Sequence, residues 1–131
     1  MKLLIVDNEV NTVELIKTLL LSKLECEVDV AYGGPQALEA MKKNDRYDLL
    51  ILDIMMPVMS GLDVCELMAK DEKMKSIPVL LMSALPIASK TFQVSLERFK
   101  ELNLVKNVLE KPFEVDDLIG KVKAIMAVTR Q

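Results

Sequence analysis

The sequence predicts an α/β fold, a doubly wound sheet of five parallel strands in a (βα)5 chain with helices on both faces. Three observations carry this. Short, nearly continuous apolar runs alternate with longer stretches of helical periodicity. The apolar runs are of the kind required of a strand covered on both faces. The strand–helix unit recurs five times, as parallel strands joined by right-handed crossovers require.

The elements follow in order. "KLLIV" at 2–6 is the first strand, and Val13, Ile16, Leu20 and Leu24 keep helical spacing after it. "EVDVAY" at 27–32 alternates apolar and polar residues, which places the second strand nearer an edge, and a short helix follows at 35–44. "DLLIL" at 48–52 and "PVLLM" at 78–82 are the third and fourth strands, with helices at 62–70 and 88–102. "NVLE" at 107–110 is a weak fifth strand. Leu118, Val122, Ile125 and Met126 mark the last helix, with Asp116 and Asp117 in its first turn and Lys121 and Lys123 later, as its dipole prefers.

A chain of 131 residues fits one domain, 1–131, large enough for a core. Half of it is apolar and 28% charged, without repeats or low-complexity tracts, which argues against disorder and solenoids. A net charge of −3 and a pI near 5.1, with Lys and Arg interspersed among acids, argue against direct nucleic-acid contact. Cys26 and Cys65 form no CxxC pair, and "MKLLIVDNE" meets an acid at residue 7, so a secretory leader is not expected and a reducing cytoplasm fits best. No apolar run approaches the roughly 18 residues of a membrane span, since Lys17 and Lys23 interrupt "LIKTLLLSKL". The nine methionines are read as adaptable core filler, and Cys65 as a buried thiol.

In an open doubly wound sheet, ligands bind beyond the carboxyl ends of the strands, where strand order reverses. Asp7, Asn8 and Glu9 follow the first strand, Asp53 the third, Ser83 the fourth and Lys111 the fifth. In the strand order 2-1-3-4-5 these groups converge on one crevice. Clustered carboxylates attract a hard cation such as Mg2+, which takes oxygen ligands and polarises a phosphoryl group. Asp53 is then a nucleophile, with Lys111 and Ser83 binding the oxygens where charge gathers. Each residue also has a plainer reading: Asp7 or Asn8 as a helix cap, Ser83 as a turn residue, Lys111 as a solvated charge. Their coincidence at four strand ends weighs against it.

The chain resembles the receiver domains of two-component response regulators. The resemblance rests on the acids in "LLIVDNE", on "LLILDIMMPVMSGLDV" with Asp53, Pro57 and Gly61, on the hydroxyl in "VLLMSAL", and on "EKPF". It implies a flavodoxin-like fold and a phosphoryl group accepted by Asp53 from the phosphohistidine of a histidine kinase or phosphotransfer protein. It also implies Mg2+ held by Asp7, Asn8, Asp53 and the backbone carbonyl of Met55, with Ser83 and Lys111 on the phosphoryl oxygens and a cis Lys111–Pro112 peptide. Such a chain is no enzyme in the usual sense but a phosphoacceptor that assists its own phosphorylation and dephosphorylation. The face around the fourth helix, fifth strand and fifth helix would signal to a downstream partner or output domain, with a homodimer left open.

Four departures from the family pattern matter. Asn8 stands where a second acid is usual, so metal should bind more weakly unless Glu9 reaches in. Val108 replaces the usual aromatic switch. The 28 positions from Ser83 to Lys111 exceed the family norm by about one and a half helical turns, which predicts an enlarged fourth helix or a longer loop within "IASKTFQVSLERFKELNL". Met55 and Leu85 are bulky where polar groups often steer a hydrolytic water, which predicts a slowly hydrolysed phosphoaspartate. A receiver-like interaction module acting without phosphate is the alternative. An aspartate-nucleophile phosphatase would want a second acid at Met55, and a flavin-binding flavodoxin a hydroxyl- and glycine-rich loop at "DNEVN".

Overall fold

The three central strands run through the middle of the molecule because most side chains on them are apolar. The computed structural model describes residues 1–43, 46–86 and 88–129. Its elements are β1 (Lys2–Val6), α1 (Val10–Lys23), β2 (Glu27–Ala31), α2 (Gly34–Lys43), β3 (Leu49–Asp53), α3 (Gly61–Ala69), a 3-10 turn (Met74–Ser76), β4 (Val79–Ser83), α4 (Lys90–Leu102), β5 (Val105–Glu110) and α5 (Val115–Thr129). The five strands pair in parallel in the order β2-β1-β3-β4-β5. The expected fold and strand order are both observed, and the alternating β2 does lie at an edge.

Strand periodicity divides the core in two. Leu4, Val6, Leu50, Leu52, Val79 and Leu81 pack with Ala37 and Met41 of α2, Val64, Cys65 and Met68 of α3, and Phe92 and Phe99 of α4. Leu3, Ile5, Leu49, Ile51, Leu80 and Met82 pack with Val13, Ile16 and Leu20 of α1 and with Leu118, Val122 and Ile125 of α5. Burial on both sides explains why β3 and β4 read as unbroken apolar runs. Met41, Met68, Met74, Met82 and Met126 are core residues. Burial pushes the Cys65 thiol up to about 12, so it stays protonated. Among the described residues, no helix is long and apolar enough to cross a membrane.

Several boundaries differ from expectation for local reasons. Asp53 and Ser83 are the last residues of β3 and β4 rather than the first beyond them, because Asp53 pairs with Met82 and Ser83 with Glu110. β5 begins at Val105, two residues early, where Val105 pairs with Val79 beside a register shift. α4 begins at Lys90 rather than 88, because Ser89 caps it, its Oγ accepting the Phe92 N–H at 3.2 Å. A 13-residue α4, ended by Asn103 in the left-handed conformation, takes up much of the long segment after Ser83; Ile87 lies outside the described residues. Residue 44, the expected end of the second helix, lies outside them too.

The turn after β3 is anchored twice. The Gly61 N–H donates to the Ile54 carbonyl at 2.8 Å, and Ser60 and Asp63 form a reciprocal capping box at the start of α3. A Cβ on Gly61 would lie 2.5 Å from the Asp53 carbonyl oxygen and 2.9 Å from the Ile54 Cα. Both neighbours are backbone and cannot step aside without moving the end of β3. Gly61→Ala should therefore destabilise the fold by about 1–3 kcal/mol, measured by urea unfolding, and shift the amide resonances of Asp53 and Ile54.

Candidate functional site

The ladder of the sheet continues one step past its strands and sets the level of the site. The Asp7 N–H donates to the Ala31 carbonyl at 3.2 Å, the Ile54 N–H to Met82 at 3.0 Å and the Lys111 N–H to Ser83 at 2.7 Å. The carboxyl ends of β1, β3, β4 and β5 are thus tied to their neighbours. Asp7 is fully buried, Asp53 is 5% exposed and Ser83 1% exposed, and among the described residues they are the buried polar side chains.

Lys111 reaches back across the crevice from beyond β5. Its Nζ lies 2.7 Å from Asp7 Oδ2 and 3.5 Å from Asp53 Oδ2. Burial raises the Asp53 carboxyl to about 6; the neighbouring Asp7 carboxylate pushes it the same way, and Lys111 opposes them. Burial disfavours the Lys111 ammonium, but its hydrogen bond to Asp7 and the two negative charges outweigh this and hold its pKa above the ordinary lysine value. Two carboxylates and one ammonium leave the cluster one positive charge short.

The remaining expected residues lie around this core. Asn8 and Glu9 are exposed at the rim. Neither Asp7 nor Asn8 is the N-cap of α1; that position is Glu9, whose backbone N–H donates to Asp7 Oδ1 at 3.0 Å. Glu9 thus touches Asp7 through its backbone. The Met55 side chain is 60% exposed, and with Leu85 it borders an apolar groove of about 530 Å³ lined also by Met56, Pro57, Leu62 and Phe99. Val58, next to this groove, is 97% exposed with φ of 71°, a strained conformation for a β-branched residue. Lys111–Pro112 is cis, as expected.

Ser83 is committed elsewhere. Its hydroxyl donates to the Leu85 carbonyl and accepts the Leu85 N–H, both at 3.0 Å. Sequence reasoning missed three things here: this closed pair of bonds, the close approach of Gly61 to Asp53, and Lys121. Instead of serving only the helix dipole, Lys121 Nζ donates to the Val108 carbonyl at 2.7 Å. The Gly61 approach alone had a signal, a glycine eight residues beyond the acid; the other two depend on partners brought together by folding.

The donor set suits a hard divalent cation. Asp7, Asp53, the Asn8 amide and the Met55 backbone carbonyl are all oxygen donors, and the cluster lacks a positive charge. Among the described residues no three His, Cys, Asp or Glu side chains gather as a metal site. Mg2+, which keeps several waters, fits such a partial set.

The response regulator receiver domain family matches residues 3–123. The chain is 35% identical over 127 residues to the transcriptional regulatory protein CpxR homolog of Haemophilus influenzae, covering 95% of this chain and 50% of that protein. It is 34% identical over 122 residues to the aerobic respiration control sensor protein ArcB of Escherichia coli, covering 92% of this chain and 14% of that one. The chain thus spans half or less of these relatives. Among solved structures, the Francisella response regulator 1452 receiver domain superposes with a TM-score of 0.82 at 29% identity over 98% of both chains. The Thermotoga maritima response regulator TrrA, in complex with Mg2+ and beryllofluoride, gives 0.75 at 32% identity over 95% of this chain and 97% of that one.

The raised Asp53 carboxyl has a consequence for stability. The folded protein holds a proton on Asp53 up to about pH 6, whereas the unfolded chain releases it near the ordinary value of 3.8. Between those values the native state binds more protons, so stability falls as pH rises through this window and the loss is complete above it. Asp53→Asn should stabilise the protein in chelator-containing buffer by up to about 3 kcal/mol at pH 7–8, at about 1.4 kcal/mol per pH unit, and by almost nothing below pH 4. Urea unfolding at both pH values measures it.

Proposed function

The chain belongs to the response regulator receiver domain family of two-component systems, and from that premise we propose that it is a phosphorylatable switch with Asp53 as phosphoacceptor. The donor is the phosphohistidine of a histidine kinase or phosphotransfer protein. An Asp53 carboxylate oxygen attacks phosphorus, the P–N bond breaks, and its electron pair goes to the imidazole nitrogen. The observation that carries this reading is the buried pair Asp7 and Asp53 with Lys111 Nζ within 3.5 Å of both.

Each residue has a task. Asp53 is delivered by a strand buried on both faces and held by the turn at Gly61, so its approach to phosphorus is set in advance. The Lys111 ammonium stands where charge develops on the phosphoryl oxygens. Ser83 binds another of those oxygens once its hydroxyl turns to Asp53. Asp7, Asp53, Asn8 and the Met55 carbonyl would hold Mg2+, which when bound supplies positive charge and polarises the phosphoryl group. Because burial favours the protonated form of Asp53, a cation beside it also favours the nucleophilic carboxylate. Phosphorylation then alters the face of α4, β5 and α5 toward a downstream partner or output domain. The exposed, neutral Asn8 and the branched Val108 favour a second reading, a receiver-like interaction module acting without phosphate.

Incubation with Mg2+ and acetyl phosphate should add the mass of one phosphoryl group to the intact protein by mass spectrometry. Asp53→Ala or a chelator should abolish the gain; no gain in the wild-type protein at millimolar Mg2+ would favour the interaction module.

Met55 and Leu85 border the same groove beside the acceptor, and both are apolar. They leave an attacking water without a polar partner, so the phosphoaspartate should persist for minutes or longer. Met55→Asn should shorten its half-life at least about fivefold, on the order of 1 kcal/mol of barrier. Decay of the phosphorylated mass after donor removal measures this, and a wild-type half-life of seconds would refute it.

A further inference from the structure

Of the nine methionines, Met41, Met68, Met74, Met82 and Met126 lie in the core, each at most 5% exposed. Met1, Met56 and Met59 are half-buried, and the Met59 sulfur lies so close to Gly34 that a Cβ there would meet it at 2.7 Å. Met55 is the exception to the core-filler reading: it is 60% exposed, two residues beyond Asp53. A thioether is oxidised through a sulfur lone pair and needs no deprotonation, whereas a thiol reacts as its thiolate. Neither thiol of the chain competes well on those terms. Cys65 is buried with its pKa pushed up to about 12, and burial raises that of Cys26.

We propose that Met55 is a site of reversible oxidation, converted by a peroxide to a sulfoxide that shortens the life of the phosphoryl group on Asp53. The effect on lifetime rests on the phosphoacceptor reading above. The sulfur lone pair attacks one peroxide oxygen, the O–O bond breaks, and the departing hydroxide takes the remaining proton and leaves as water. Sulfur is oxidised and the peroxide reduced. A methionine sulfoxide reductase supplied with a dithiol reverses the step, the oxygen leaving as water and the dithiol becoming a disulfide.

The position of Met55 gives the added oxygen a task. Met55 lines the apolar groove of about 530 Å³ together with Ile54, the neighbour of Asp53, and with Leu85. Exposed and unbranched, its side chain can turn the sulfur toward the acceptor. A thioether accepts hydrogen bonds weakly. A sulfoxide oxygen accepts them strongly, so it can hold a water by one of its protons in surroundings that otherwise give that water no polar partner. The water oxygen bonds phosphorus, the P–O bond to Asp53 breaks with its electron pair returning to the carboxylate, and one water proton passes to solvent. Because Met55 stands outside the core, its oxidation leaves the packing alone, which oxidation of a buried methionine would not.

The test uses the intact protein and hydrogen peroxide. In tandem mass spectrometry of a digest, Met55 should take up one oxygen about tenfold faster than Met41, Met68, Met74 or Met82, and ahead of Met56 and Met59. A rate no greater than that of the buried methionines would overturn the proposal and leave the phosphoacceptor reading standing. The oxidised protein, loaded with acetyl phosphate and Mg2+, should lose the phosphoryl mass about fivefold faster than untreated protein, and a methionine sulfoxide reductase with dithiothreitol should restore the slower decay. Met55→Leu should decay at one rate before and after peroxide. Equal decay of oxidised and untreated wild-type protein, or the same quickening in Met55→Leu, would overturn the link from Met55 to Asp53. No phosphoryl gain in the untreated protein would overturn the phosphoacceptor reading and this proposal with it.

Discussion

Two buried carboxylates share one ammonium, and the rest of the structure is arranged around that imbalance. A charge removed from water needs a partner, and a single lysine cannot fully neutralise two acids. Lys111 lies closer to Asp7, at 2.7 Å, than to Asp53, at 3.5 Å. Asp53 is accordingly the acid whose carboxyl is pushed up. The cluster is unbalanced enough to favour an added cation.

The sheet makes the imbalance possible. Covering β1, β3 and β4 on both faces supplies the apolar surface that holds the fold together, and it also fixes the backbone at the carboxyl ends of those strands. Asp7, Asp53 and Lys111 come from three separate segments of the chain, yet each is bonded to the neighbouring strand within one residue of the site. An acid on a loose loop would swing into solvent and keep an ordinary pKa. An acid at the end of a buried strand is held where water is scarce.

Around this centre the connections are closed by different contacts. The turn after β3 is closed by Gly61 packed on the strand backbone and by the Ser60–Asp63 capping box. In the turn after β4 the Ser83 hydroxyl bonds both backbone polar groups of Leu85, and the Ser89 N–H donates to the Pro86 carbonyl. Relatives at 29–35% identity share the family and the fold over nearly the whole chain. Met55, Met56 and Leu85 line an apolar groove beside these two turns.

Much of this was legible in the residues. Continuous apolar runs revealed the strands because burial on both faces leaves no other composition, and the alternating β2 betrayed its edge position. Asp7, Asp53, Ser83 and Lys111 were readable as strand-end polar groups because strand order brings such ends together. Boundaries were less legible: whether Asp53 ends β3 or follows it depends on pairing with Met82, and the early start of β5 depends on pairing with Val79. The sequence by itself determined the alternation of strands and helices and the identity of the polar groups at one edge, since both follow from local pattern. Only the tertiary structure decided which acid Lys111 favours, that Asn8 and Glu9 stay at the rim, and that Ser83 is bonded to Leu85. Those outcomes depend on distances between segments as far apart as residues 7 and 111, which no local pattern encodes.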